Sequence, residues 1–203
     1  MNVRRSIVSM LIALGALSTT LAAQSNTTQS DSGQSTKVRR HAVSFGFVAT
    51  LGAYWQIESA EIGYVRRPSR GFAALGLAAR VGTFMNESAV LGGQKGAVFA
   101  ATLSARTRQK SIAQFGADEH GTGIGFDLTF ELSGYTAAGS PMSLGSRWVG
   151  ISVLPAFSVG SGNAPHFAIV IGPTAFLSGG RPVMRGLLAF RGEAPLARGE
   201  RHP

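Results

Sequence analysis

The sequence predicts an all-β fold: a single closed, antiparallel, up-and-down barrel of eight strands. Three observations predict it. From His41 to Gly192, apolar residues recur at every second position, the period of a strand with one apolar face. The alternating runs number eight, and each is near the ~9–11 residues that a tilted strand needs to cross a bilayer. The opposite face is mostly Gly, Ala, Ser and Thr with single charges, whereas a water-facing surface is about 25–35% charged.

The totals agree with one domain of unusual polarity. The chain has 203 residues, and 14% are charged, against about 25% in an ordinary soluble protein. There are 27 glycines and no cysteine, which excludes disulfides and thiolate metal sites. The formal net charge is +9, two fewer once Arg4 and Arg5 are removed with a leader. The Arg and Lys residues are scattered singly or sit in turns, without any accompanying nucleic-acid motif.

Residues 1–23 have the three parts of a cleaved signal peptide. Arg4 and Arg5 are the basic start, Ile7 to Leu17 is the apolar run, and small residues end in Leu21-Ala22-Ala23. The run is shorter than the ~20 residues of a membrane-spanning helix. Residues 24–40 form a polar lead-in, too poor in apolar residues to fold alone.

The barrel is assigned to residues 41–192. Its clearest strand is Ile124 to Ser133, where Ile124, Phe126, Leu128, Phe130 and Leu132 oppose Gly125, Asp127, Thr129, Glu131 and Ser133. Val43, Phe45, Phe47, Ala49 and Leu51 oppose Ser44, Gly46, Val48 and Thr50. Ala60, Ile62 and Tyr64 oppose Ser59, Glu61 and Gly63, and Leu75, Leu77, Ala79 and Val81 oppose Gly76, Ala78, Arg80 and Gly82. Phe99, Ala101, Leu103 and Ala105 oppose Ala100, Thr102, Ser104 and Arg106; Val149, Ile151, Val153 and Phe157 oppose Gly150, Ser152 and Ala156. His166 to Leu177 alternates poorly, because Val170 and Phe176 lie opposite Phe167, Ile169 and Ile171. Val183 to Gly192 sets Met184, Leu188 and Phe190 against Arg185, Ala189 and Arg191.

Turn-rich pieces separate the runs, among them Arg66 to Gly71, Asn86 to Gly96, Gln109 to Gly121 and Gly134 to Ser146. Residues 193–203 are read as a tail.

The balance of faces decides between lipid and water. With the apolar face outward, the small residues fill the narrow interior of an eight-stranded barrel. The charges on that face, Glu61, Arg80, Arg106, Asp127, Glu131, Arg185 and Arg191, are then interior. Buried charges must pair, so they are expected to form an Arg–carboxylate network. Tyr54, Trp55, Tyr64, Tyr135 and Trp148 lie at or near strand ends, the places of an interfacial aromatic girdle. Lipid satisfies no backbone N–H or C=O group, so spanning strands require closure.

In signal peptide, strand count and pattern, residues 41–192 resemble the small eight-stranded bacterial outer-membrane barrels of the outer-membrane protein A or X type. The resemblance implies an outer-membrane location and contact with membrane lipid and with the outer-membrane assembly machinery. It also implies a monomer with a structural, adhesive or surface-binding role carried by the loops. One departure is that members usually end on an aromatic residue in the last strand. Here Phe190 is the last aromatic, with Arg191 to Pro203 after it.

No hydrolase, zinc-protease, P-loop or cysteine motif is present, and no cofactor or metal is expected. His41, His120, His166 and His202 lack metal-ligand spacing. Some small barrels of this class modify lipid A with a Ser, a His and a carboxylate; His41 with Ser44 and His166 with Ser161 are the pairs that bear on this alternative. A soluble exported lipid-binding barrel and a narrow passive pore are the others. Arg66, Arg67 and Arg70 crowd one turn, suited either to anionic headgroups or to plain solvent.

Overall fold

A computed structural model describes residues 40–52, 55–68, 70–86, 95–115, 122–139, 144–160 and 166–196. The expected signal peptide and most of the lead-in lie outside these residues.

The described chain is all-β, with nine strands. They are β1 (His41–Leu51), β2 (Trp55–Arg66), β3 (Ala74–Asn86), β4 (Lys95–Arg106), β5 (Lys110–Phe115), β6 (Thr122–Ala137), β7 (Arg147–Gly160), β8 (His166–Leu177) and β9 (Val183–Pro195). Each pairs antiparallel with its sequence neighbour, except that β4 pairs with β6, and β1 pairs with β9. That last pairing, from Ala42↔Pro195 to Leu51↔Gly186, closes the sheet. The result is an eight-stranded closed antiparallel barrel of β1–β4 and β6–β9, with β5 as an additional strand.

Both ends of the described chain meet at one rim, where the Leu196 amide donates to the His41 carbonyl at 2.9 Å. We call this the proximal end and the opposite rim the distal end. At the proximal end β2 turns into β3 through Gly71, whose φ of 81° lies in the left-handed region that favours glycine.

β5 revises one expected loop. Gln109 to Gly121 reads as a turn-rich connection, yet Lys110–Phe115 pairs with β6 from Lys110↔Phe126 to Phe115↔Thr122. β6 has 16 residues and β4 has 12, so β6 outruns its barrel neighbour. β5 follows the line of β4 along that overhang, joined by the bond from the Thr107 amide to the Leu128 carbonyl. The short, mixed run Lys-Ser-Ile-Ala-Gln-Phe has too little alternation to announce a strand.

β9 also runs past the expected limit of Gly192, to Pro195. His166–Leu177, whose mixed pattern reads as poor alternation, is a regular strand, with Val170 and Phe176 buried inside and Ile169 and Ile171 outside. The interior is therefore less uniformly small and polar than the sequence suggests. Near the distal end Trp55, Ile57, Phe84, Val98, Tyr135, Leu144, Trp148 and Phe176 pack into one cluster. A second cluster, including Val48, Leu154, Val170 and Leu187, fills part of the lumen.

The outer face is apolar on every barrel strand. Exposed large side chains include Leu51 on β1, Ile62 on β2, Leu77 on β3, Leu103 on β4, Leu132 on β6, Val153 on β7, Ile171 on β8 and Met184 on β9. Among the described residues, no helix is long and apolar enough to cross a membrane.

Candidate functional site: the charged interior

Four interior charges form a closed ring across the lumen. Glu61 and Arg80 are direct cross-strand partners on β2 and β3, and Arg80 Nε donates to Glu61 Oε2 at 2.7 Å. Arg80 Nη2 donates to Glu131 Oε2 on β6 at 2.7 Å. Arg191 on β9 completes the circuit, with Nη2 2.5 Å from Glu131 Oε1 and Nε 3.0 Å from Glu61 Oε1. Each guanidinium thus meets both carboxylates, and the ring is formally neutral.

The strand period explains the meeting. Side chains two apart share a face, and only inward positions reach the lumen. Small residues clear the paths between them. Gly46 on β1 is paired with both Glu61 and Arg191, and a Cβ there would meet the Phe190 carbonyl at 2.5 Å and Arg191 Cγ at 3.2 Å. Ala100 on β4 lies between Arg80 and Tyr135. Arg80 Nη1 reaches the Tyr135 hydroxyl at 3.2 Å and Ser133 Oγ at 3.4 Å, and Ser133 in turn bonds Thr102. Guanidinium donors are thereby matched to acceptors, which a buried charge requires.

A second group lies nearer the proximal end. Glu193 accepts from Arg106 Nη1 at 2.7 Å and from Arg67 Nη2 at 2.6 Å. Asp127 is buried close by, in the field of Arg106, with the Thr129 hydroxyl 3.5 Å away. Between the two groups is a cavity of about 50 Å³, whose walls include Glu61, Glu131, Arg191, Arg106, His166 and Glu193. Its walls are mixed, with Val65, Leu77 and Val170 beside the charged groups, and its size suits a few ordered waters rather than an organic ligand.

The expected interior charges therefore divide. Glu61, Arg80, Glu131 and Arg191 come together in the ring. Arg106 and Asp127 belong to the proximal group. Arg185 is at the distal end, its guanidinium 4.7 Å from the Trp55 ring centre.

Two participants are not foreseen in the sequence. Glu193 falls in the expected tail and Arg67 in an expected solvated turn. The signal for Glu193 is its parity with Arg191, one strand step further on.

The aromatic placement differs more. Trp55, Tyr135 and Trp148 face inward and are buried at 2%, 7% and 3% exposure, so they plug the distal lumen rather than forming a girdle. The same parity accounts for it: Trp55 shares a face with Glu61, and Tyr135 with Glu131. Tyr135 stacks on Trp148 at 5.3 Å and meets Phe176 edge-on at 5.5 Å. Tyr64 does face outward, where it stacks on and hydrogen-bonds His41. Tyr54 lies outside the described residues.

No family model matches the chain, and no curated protein or solved structure shows significant similarity to it. Function must therefore be argued from the barrel itself. Among the described residues no cluster of His, Cys, Asp and Glu has the arrangement of a metal site. His41 is occupied with Tyr64 on the outer face, whereas Ser44 is buried inside; the strand period separates them. Ser161 lies outside the described residues.

Proposed function

We propose that this protein is an outer-membrane β-barrel with a structural or surface-binding role, held in the bilayer by its strands and meeting its surroundings through its loops. The observation that carries the reading is the inversion of polarity. Large apolar side chains cover the outside of all eight barrel strands, while the ion pairs are inside. Water favours the reverse arrangement, because exposed apolar surface costs about 25 cal/mol per Å² and buried charge is costly unless paired. A bilayer favours what is found, and closure leaves no sheet edge within the barrel wall for lipid to face.

The filled lumen supports a scaffold over a passive pore. The distal aromatic plug and the charged ring lie across the path a solute would take. The soluble lipid-binding alternative requires a cavity large enough for an acyl chain, and the cavity between the two charged groups, about 50 Å³, is too small for one.

The experiment is fractionation of the expressed protein with heated and unheated gel electrophoresis. Recovery from outer membranes with a band that shifts on boiling is the expected result. Recovery in the soluble periplasm overturns the reading.

A further inference from the structure

The two ends of the barrel carry unequal charge. At the proximal end Arg40, Arg66, Arg70, Arg108 and Lys110 are all exposed. The carboxylates described at that end, Asp127 and Glu193, are buried in the interior. No exposed carboxylate offsets the five cations among the described residues. At the distal end the exposed cations Lys95, Arg147 and Arg181 and the half-buried Arg185 stand with Glu58, which is half-buried on the outer face.

Two of the five are tied to the apolar surface by register. Directly paired residues of antiparallel strands point to the same face. Arg66 is paired with Leu75, an exposed outer residue, and follows Ile62 and Tyr64 at two-residue steps. Lys110 is paired with Phe126, whose ring packs against the exposed Phe157 at 5.5 Å. The outer surface of β2 thus passes from aliphatic through aromatic to cationic within one strand. On β2, Arg66 stands one step beyond the last outward apolar residue, where hydrocarbon gives way to headgroups, with its apolar stem along the acyl boundary; on β5, Lys110 lies beside the exposed Ile112.

We infer that this proximal rim binds the anionic headgroups of membrane phospholipids, and that it fixes the proximal end in the leaflet richer in such lipids. The inference rests on the membrane reading above. The charge is complementary to a phosphodiester with a net negative headgroup, and the adjoining apolar surface receives the acyl chains of the same lipid. Arg67 and Arg106 are engaged by Glu193, and they are not counted in this rim.

The test uses the full mature chain refolded into phosphatidylcholine bilayers containing a minor fraction of spin-labelled phosphatidylglycerol or, separately, spin-labelled phosphatidylcholine. The motionally restricted fraction of each label reports its affinity for the barrel surface. A cation near a membrane surface contributes about fivefold in affinity, reduced by salt. We expect several-fold selectivity for the phosphatidylglycerol label, weakened by salt. It should be lost in R66Q/R70Q/R108Q/K110Q and kept in the distal control K95Q/R147Q/R181Q. All seven side chains are exposed, so both variants should retain the boiling shift. Equal restriction of the two labels in the native chain overturns the inference, as does selectivity that survives the proximal substitutions or follows the distal ones. A chain that restricts neither label has not entered the bilayer, and that result takes down the membrane reading itself.

Discussion

Arg191 reaches Glu61 across an intervening strand, and it does so over Gly46. The two charged residues are on β9 and β2, with β1 between them, and each is the register partner of the same glycine. Any side chain at Gly46 meets the Phe190 backbone carbonyl and the Arg191 side chain. G46V should therefore both crowd the sheet and part an ion pair, with a loss of about 3–5 kcal/mol, the range for breaking a buried pair. Urea unfolding in detergent micelles checks it. A loss below about 1 kcal/mol would mean that the crossing is not a structural requirement.

The ring as a whole should behave differently from its members. E131Q leaves two guanidinium groups with one carboxylate and is expected to cost about 3–5 kcal/mol. Replacing all four residues, in E61L/R80M/E131L/R191M, removes charge and desolvation together. That variant should be more stable than E131Q and close to the native chain, because a buried ion pair contributes little over well-packed apolar residues. The comparison is again an unfolding midpoint, and a fourfold variant worse than E131Q sinks the account.

Truncation separates strand from tail. A chain ending at Gly192 lacks Glu193, leaving Arg67 and Arg106 without their shared carboxylate, and loses the Ala42↔Pro195 and Val43↔Ala194 pairings. One ending at Leu196 keeps them all. The shorter chain should show a weakened or absent boiling shift and the longer one a normal shift.

Val153 tests the solvent of the outer face. It lies mid-strand on β7, pointing outward. In a bilayer V153R should cost about 2–4 kcal/mol. On a water-exposed surface the same change falls within about 0.5 kcal/mol.

Phe176 tests the plug. It is fully buried against Trp55 and Tyr135, at ring distances of 5.6 and 5.5 Å. F176A should cost about 3–5 kcal/mol through the cavity it leaves. The native chain should be silent in planar bilayer recordings.

Much of this was legible from period two alone. The outward and inward faces of β1–β4, β6 and β7 follow directly from which residues alternate, and the four ring members share the inward face. What the pattern hides is distance along the barrel axis. Arg106 and Asp127 look like members of one network with Arg80, but their positions along the strands put them nearer the proximal rim. Trp55, Tyr135 and Trp148 show the opposite error: proximity to a strand end suggests a girdle, while the parity of the same residues points inward. β5 and Glu193 were hidden because both extend strands beyond the alternating run, where pairing depends on a partner strand's length rather than on local sequence.

The ring also bears on the order in which the barrel is made. Its members come from β2, β3, β6 and β9, and Arg191 lies 130 residues beyond Glu61 in sequence. A sheet assembled without its last strand holds Glu61 and Glu131 against a single guanidinium, leaving surplus negative charge where the lumen must dry. Such an intermediate favours staying open to water. Arrival of β9 supplies both the final backbone pairing and the missing cation, so sealing of the wall and neutralisation of its contents coincide. The ring thereby ties closure of the wall by β9 to electroneutrality of the lumen.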